Sequence, residues 1–356
     1  MKKIYRILQC FTIGIILFSA LFFDKTEAYA HTLSQGEIVM EKTSGRVLYE
    51  SDADKKLPMA STTKILTALA VIENFPLDRA ITVPDECAGI EGSSVYLKGG
   101  DKYTVEDLLY GLMLRSGNDC AETLAKTLCG SIEKFVDIMN ETAIRYGAKN
   151  SNFTNPHGLP DPDHYTTARD LGIIACAAMR NENFRKIVSS KKHVATELVS
   201  GQKNLWINKN KMLYNYDGAS GVKTGYTVKA GRCLVSSAER NGMEVVCVVL
   251  NSPQMFERSS ELLDNAFGDY KMQKLVDKDA FDYVLPCEDG ITFIPVRIGE
   301  SFSYPVKNND RIEVGINLND KLSAAARDGE EAGDITITCN DRLIFSEKIY
   351  TRIENA

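Results

Sequence analysis

GVKTGYTVKAGRCLVSSAERNGMEVVCVVLN, residues 221–251, reads as three consecutive strands, and the rest of the chain is best understood outward from it. The runs Gly221 to Val228, Gly231 to Ala238 and Met243 to Asn251 are rich in apolar and β-branched residues. Asn241-Gly242 is the two-residue signal for a tight hairpin. With that turn, Arg240 faces Met243, and Cys233 faces Leu250 rather than Cys247. Upstream, Glu37 to Val39 and Arg46 to Tyr49 flank Thr43-Ser44-Gly45, a second hairpin signature. A mostly helical stretch separates the two strand regions and reaches about residue 190. It holds the amphipathic run Val105 to Leu114 and the pair Ala121 to Leu128 and Ile132 to Tyr146. Asn155-Pro156-His157-Gly158-Leu159-Pro160-Asp161-Pro162 interrupts it as a loop, because its prolines and glycine oppose regular structure. A further helix, Met255 to Phe267, follows the strands. Strands at both ends of a helical middle predict an α+β domain with one mainly antiparallel sheet.

From about Met272 the pattern changes to short alternating runs: Ile294, Val296 and Ile298, then Ile312, Val314 and Ile316, then Ile335 and Ile337. Turn-rich stretches separate them, so residues 271–356 read as a small all-β domain with few groups suited to catalysis. The chain's end, Arg342 to Tyr350, reads as a strand, which gives no sign of a C-terminal membrane anchor.

Residues 1–30 read as a leader. Lys2, Lys3 and Arg6 precede the apolar stretch Ile7 to Phe23, and Ala28-Tyr29-Ala30 offers a small-x-small cleavage site. An uncleaved membrane anchor is the alternative. Cleavage would start the chain near His31, on the extracytoplasmic face of the envelope or in the medium. Residues 1–30 carry four Lys/Arg and two Asp/Glu, so their removal takes the formal charge from −6 to −8. An acidic exported chain has no electrostatic basis for gripping nucleic acid or an anionic membrane surface. Membrane association by other means stays open. Eight of the nine cysteines lie beyond the leader, without a Cys-x-x-Cys pair and several within apolar runs, so buried free thiols are expected.

Three short segments carry the chemistry. Ser61-Thr62-Thr63-Lys64 precedes Ile65, Leu66, Leu69 and Ile72 at helical spacing, which places Ser61 at a helix N-terminus as a cap. The spacing of three puts Lys64 one turn away on the same face, where a neutral amine can take the serine proton. Its pKa must fall for that, through desolvation and a nearby cation such as Lys223. Ser116-Gly117-Asn118 follows the amphipathic run as an interhelical turn, able to point a hydroxyl and an amide into a cleft. Lys223-Thr224-Gly225 lies on a strand, where Lys223 and Thr224 can bind a carboxylate and Gly225 leaves room for substrate beside the backbone. The backbone N–H groups of Ser61 and Tyr226 are the candidate oxyanion donors. Each segment alone is weak. Ser-x-x-Lys occurs five times, at Ser61, Ser131, Ser189, Ser200 and Ser220, and most copies are chance.

Taken in order, the segments resemble the active site of the penicillin-recognising serine enzymes, which comprise the penicillin-binding proteins and the serine β-lactamases. The likeness extends to Thr43-Ser44-Gly45-Arg46-Val47-Leu48-Tyr49, Pro58-Met59-Ala60, Asn155-Pro156-His157-Gly158-Leu159 and Tyr165-Thr166-Thr167-Ala168-Arg169-Asp170, and covers residues 35–265. Within the superfamily the chain most closely resembles the D-alanyl-D-alanine carboxypeptidases of low molecular mass. The resemblance implies a transpeptidase-like catalytic domain over residues 31–270, with an antiparallel sheet and helices, followed by the β-rich domain. It implies acyl transfer from peptidoglycan stem peptides ending in D-Ala-D-Ala. Ser61 would be the nucleophile, Lys64 the base and Ser116 the proton relay. Asn118, Lys223, Thr224 and Gly225 would bind substrate, and β-lactams would act as inhibitors. No metal or organic cofactor is implied, and His157 and His164 read as residues that order their loop.

Tyr226 departs from the pattern, since many relatives carry histidine there. The enzymatic rival is a β-lactamase, a class that often draws on a loop glutamate for the deacylating water. Residues 155–170 hold three aspartates and no glutamate, which disfavours it. The non-enzymatic rival is a peptidoglycan-binding or regulatory protein that kept the fold.

Overall fold

The computed structural model describes residues 34–323 and 325–353. The expected leader and its cleavage site lie outside them. Five strands form one antiparallel sheet in the order β2-β1-β9-β8-β7. They are β1 (Gly36–Glu41), β2 (Val47–Ser51), β7 (Ala219–Thr227), β8 (Gly231–Arg240) and β9 (Met243–Leu250). The register follows the sequence reading: Arg240 faces Met243, and Ser236, not Cys233, faces Cys247. Asn241 and Gly242 carry φ of 51° and 77°, the left-handed pair that a two-residue hairpin requires.

Every residue of β9 is buried, because both sheet faces are covered. Alternation divides its side chains between two cores. Val245, Cys247 and Val249 pack with Met255, Leu262 and Leu263 of the final helix. Val246, Val248 and Leu250 face the helical region on the other side. The eight α-helices of the described residues are α1 (Lys64–Asn74), α2 (Val105–Tyr110), α3 (Asn118–Cys129), α4 (Ile132–Arg145), α5 (Ala168–Arg180), α6 (Glu182–Ser189), α7 (Met212–Asn215) and α8 (Met255–Asp269). Their starts are chemically marked: the Ser131 hydroxyl accepts from Lys134 N, and the Thr167 hydroxyl from Asp170 N. Two small hairpins, β3 (Ala80–Thr82) with β4 (Lys102–Thr104) and β5 (Lys192–Thr196) with β6 (Lys203–Ile207), flank the helices.

Two sequence expectations need correction. Ser61 is not a helix cap: it sits inside a 3₁₀ turn, Ala60–Thr63, and α1 begins only at Lys64. The run Val105 to Leu114 is not one α-helix. After Tyr110 it widens into a π turn, Gly111–Arg115, that leads directly into Ser116. Such widened turns recur at functional sites.

The strands beyond α8 build cores of their own. β10 (Tyr270–Val276) pairs with β13 (Phe302–Lys307). β11 (Tyr283–Pro286), β12 (Phe293–Arg297), β16 (Arg342–Thr351), β15 (Glu331–Cys339) and β14 (Ile312–Leu318) follow one another in a second sheet. Val296, Ile335, Ile337 and Ile349 fill its interior. The run Arg342 to Tyr350 is the strand expected from its pattern. All eight cysteines of the described residues are free thiols, and seven are buried. Among the described residues, no helix is long and apolar enough to cross a membrane.

Candidate active site

Ser61 is held by a turn that its own sequence braces. The Thr62 hydroxyl donates to Met59 O at 2.6 Å and the Thr63 hydroxyl to Ala60 O at 2.9 Å. Both threonines of Ser-Thr-Thr-Lys therefore fold back on the chain that precedes the serine. Thr63 Oγ1 also lies 2.8 Å from His164 Nε2, which ties the turn to the loop at 152–165.

Lys64 is wholly buried, and its amine meets three oxygens: Ser61 Oγ at 3.0 Å, Asn118 Oδ1 at 2.7 Å and the His157 carbonyl at 2.6 Å. A neutral lysine amine has two hydrogens and one lone pair. Two of these partners, the amide oxygen and the carbonyl, can only accept, so they take the two hydrogens. The lone pair is left for the Ser61 hydroxyl. Burial, reinforced by the positive charge of Lys223, pushes the Lys64 amine well below the ordinary lysine range. Both causes are those expected from sequence.

Asn118 is engaged at both ends of its amide, since Nδ2 donates to Glu91 O at 2.6 Å. One amide N–H and one carbonyl lone pair are left over from these two bonds. Its backbone N–H donates to Ser93 O at 2.7 Å, drawing a loop against the turn. Asp119 secures that loop, accepting from the Ser94 hydroxyl and from the N–H groups of Val95 and Leu97. Between the π turn and α3, Ser116 is 7% exposed and holds a left-handed backbone with φ of 66°. For a residue with a side chain that conformation costs roughly 1 kcal/mol.

Lys223 is 2% exposed on β7, one of the two edge strands of the sheet, and donates to Thr224 O at 2.8 Å. Burial, with Lys209 nearby, brings its amine down to about 7. Gly225 serves a purpose the sequence did not reveal. A Cβ there would lie 3.0 Å from Met59 O and 3.1 Å from the N atoms of Ser61 and Thr62. The glycine lets β7 press against the Ser61 turn itself. Thr224 is half-buried, and Tyr226, two residues along on the same face, is 64% exposed.

The structure thus draws the Lys64 amine into direct contact with both Ser61 and Asn118 and sets Gly225 against the turn that carries Ser61. Three contributors escaped sequence reading. The His157 carbonyl did, because a backbone acceptor has no side-chain signature. Asp119 did too, although an acid beside the Ser-Gly-Asn turn was a visible hint. So did Lys209, which follows Ile207 and Asn208 beyond β6. His157 and His164 do order their loop. His157 Nδ1 accepts from Leu159 N, and burial with the nearby Lys64 keeps its ring neutral, at about 3. Gly158 completes the arrangement: its φ is +89°, and a Cβ would come within 1.9 Å of Ala60 O.

An antiparallel sheet with a lysine-bearing edge strand, set against a serine–lysine turn, is the fold of the penicillin-binding proteins and DD-peptidases. The chain belongs to the D-alanyl-D-alanine carboxypeptidase family, whose pattern matches residues 24–254. It is 30% identical to the D-alanyl-D-alanine carboxypeptidase DacF of Bacillus subtilis, over 98% of this chain and 94% of that one. Penicillin binding protein 5 of Haemophilus influenzae superposes with a TM-score of 0.73 at 26% identity, covering 89% of this chain and 96% of its own. The D-alanyl-D-alanine carboxypeptidase DacD of Francisella tularensis gives 0.68 at 25% identity, covering 93% and 98%.

Proposed function

We propose that this protein is a serine-type D-alanyl-D-alanine carboxypeptidase that trims the terminal D-alanine from peptidoglycan stem peptides outside the cytoplasm. The observation that carries the reading is the buried Lys64 amine, with two pure acceptors for its hydrogens and Ser61 for its lone pair. Lys64 takes the Ser61 proton as Oγ attacks the carbonyl of the penultimate D-alanine. The tetrahedral oxyanion rests on the backbone N–H groups of Ser61 and Tyr226. Lys223 and Thr224 hold the terminal carboxylate, and the free margin of β7 accepts the peptide backbone as an added strand. The C–N bond breaks, and the leaving amine receives its proton from Lys64 by way of Ser116. Water then hydrolyses the Ser61 ester, releasing the shortened peptide and restoring the hydroxyl. β-Lactams enter by the same route and acylate Ser61.

The β-lactamase reading finds no support in the loop. Asp170 is committed to Asn150 N and the Ser151 hydroxyl, Asp161 accepts from Asp163 N within the loop, and Asp163 is exposed. Release of D-alanine from a synthetic D-Ala-D-Ala peptide is the test, with a fluorescent penicillin as the label. Wild type should release D-alanine and take the label, and Ser61→Ala should do neither. Fast, sustained β-lactam turnover would instead make the chain a β-lactamase. Absence of both label and release in wild type would leave the peptidoglycan-binding reading.

A further inference from the structure

The acidic charge of the whole chain hides a basic segment. Residues 191–211 carry five lysines, Lys191, Lys192, Lys203, Lys209 and Lys211, against one acid, Glu197. Glu197 is 5% exposed and spent locally, accepting from the N–H groups of Lys102, Val199 and Ser200. The neighbouring acids on α2 are also taken, Glu106 by Lys186 and Asp107 by His193. None of the five lysines pairs with a carboxylate among the described residues.

The β5–β6 hairpin within this segment has two unlike faces. His193, Ala195 and Trp206 point inward, with His193 stacked on Tyr110. The register sets Lys192 opposite Ile207, Val194 opposite Leu205 and Thr196 opposite Lys203 on the outer face. There Val194, Leu205 and Ile207 are 49%, 58% and 51% exposed. At the hairpin's tip Val199 is 77% exposed and Leu198 46%. Five aliphatic side chains thus stand in water on one small ribbon, interleaved with unpaired lysines.

We propose that the outer face of the β5–β6 hairpin docks on a lipid bilayer bearing anionic headgroups. Charge complementarity selects the sign of the partner. Its apolar depth separates a bilayer from a soluble polyanion, which would satisfy the lysines and leave the aliphatics exposed. Lysine stems lying along the ribbon can reach the headgroups while Val199, Leu205 and Ile207 enter the boundary below them. Each lysine near such a surface favours binding by about fivefold. The hairpin also adjoins the catalytic centre. Lys209 N donates to Leu114 O, and Arg115 reaches Ile207 O, immediately before Ser116. Docking would hold the turn that carries Ser116 beside the bilayer. This surface stands apart from the catalytic reading, and its test does not use activity.

Amide exchange of residues 192–207 in the full-length protein reads the contact locally, whatever the leader does. Vesicles of phosphatidylcholine with phosphatidylglycerol should slow exchange there at least fivefold, and pure phosphatidylcholine should not. The protection should vanish in roughly 1 M salt, where charges are screened beyond about 3 Å. Lys192→Glu with Lys203→Glu should abolish it, and so should Leu205→Ser with Ile207→Ser; circular dichroism checks that both variants fold. Unchanged exchange of wild type on anionic vesicles overturns the proposal. So does equal protection by soluble polyphosphate that survives Leu205→Ser with Ile207→Ser, which would make the patch a polyanion site.

Discussion

Lys64 and Lys223 are two buried amines whose proton affinities depend on each other. In the reaction proposed above, Lys64 is neutral when it accepts the Ser61 proton, whereas Lys223 is charged when it holds a carboxylate. In the free enzyme, burial and Lys209 bring Lys223 to about 7. Above that pH it sheds its proton, so kcat/KM for a peptide ending in a carboxylate should fall as pH rises through about 7, chiefly through KM. A peptide ending in an amide should lack that limb, and pH profiles of the two substrates test the assignment. The coupling has a second consequence. Lys223→Met removes a positive neighbour, so Lys64 should hold its proton more tightly. The acid limb of penicillin acylation should then move to higher pH, whatever the change in maximal rate. If that limb stays in place, Lys223 does not tune the base.

At the scale of elements, the site is a junction between β7 and the Ala60–Thr63 turn, closed by the loop carrying His157 and Gly158. Gly225→Ala would set a methyl carbon 3.0 Å from Met59 O and force the strand away from the turn. Neither neighbour is a flexible side chain that can swing aside. A displacement approaching 1 Å at the reacting groups costs on the order of 10²-fold in rate. The variant should therefore lose about that factor in penicillin acylation while remaining folded, and a wild-type rate would show that the contact is slack. This junction marks how far the sequence could be read. The strand carrying Lys223-Thr224-Gly225 and the hairpin at Asn241-Gly242 were legible, because period-two patterning and turn residues are local signals. The order of Ser61, Ser116 and Lys223 pointed to one site through resemblance. The purpose of Gly225 was not legible, since it depends on a turn 164 positions earlier in the chain. Ser61 was misplaced for a related reason: a 3₁₀ turn braced by Thr62 and Thr63 has the same apolar pattern after it as a capped helix. Likewise the hairpin face at Val194, Leu205 and Ile207 disappears when charge is summed over the whole chain.

At the scale of the molecule, one arginine ties the catalytic sheet to the strands beyond α8. Arg46, in the connection between β1 and β2, donates to both carboxylate oxygens of Asp310, at 2.8 and 3.0 Å, and to Pro305 O at 2.6 Å. Its guanidinium also lies 5.1 and 5.0 Å from the ring centres of Tyr270 and Tyr304. The planar, bidentate geometry suits arginine and could not be reproduced by lysine. The Asp310 side chain has no exposed area. Burial pushes its carboxyl up, but hydrogen bonds from Arg46, Lys307 N and Asn340 outweigh that and hold it at about 2. Because the folded value lies below the ordinary 3.8, this pairing stabilises the protein above about pH 4 and is lost as pH falls through about 2. Arg46→Met leaves a carboxylate without its counterion and should cost about 3 kcal/mol. The loss should fall on the C-terminal strands, as a calorimetric transition that separates below the main one. Asp310→Asn in the same chain should restore part of it, since the stranded charge is then gone. Penicillin acylation should hold at the wild-type rate. Arg46 and Lys223 belong to opposite edges of a five-stranded sheet, roughly 15–20 Å apart at about 4.8 Å per strand. A single transition at the wild-type temperature in Arg46→Met would mean that the C-terminal strands are held to the catalytic sheet by something other than this arginine.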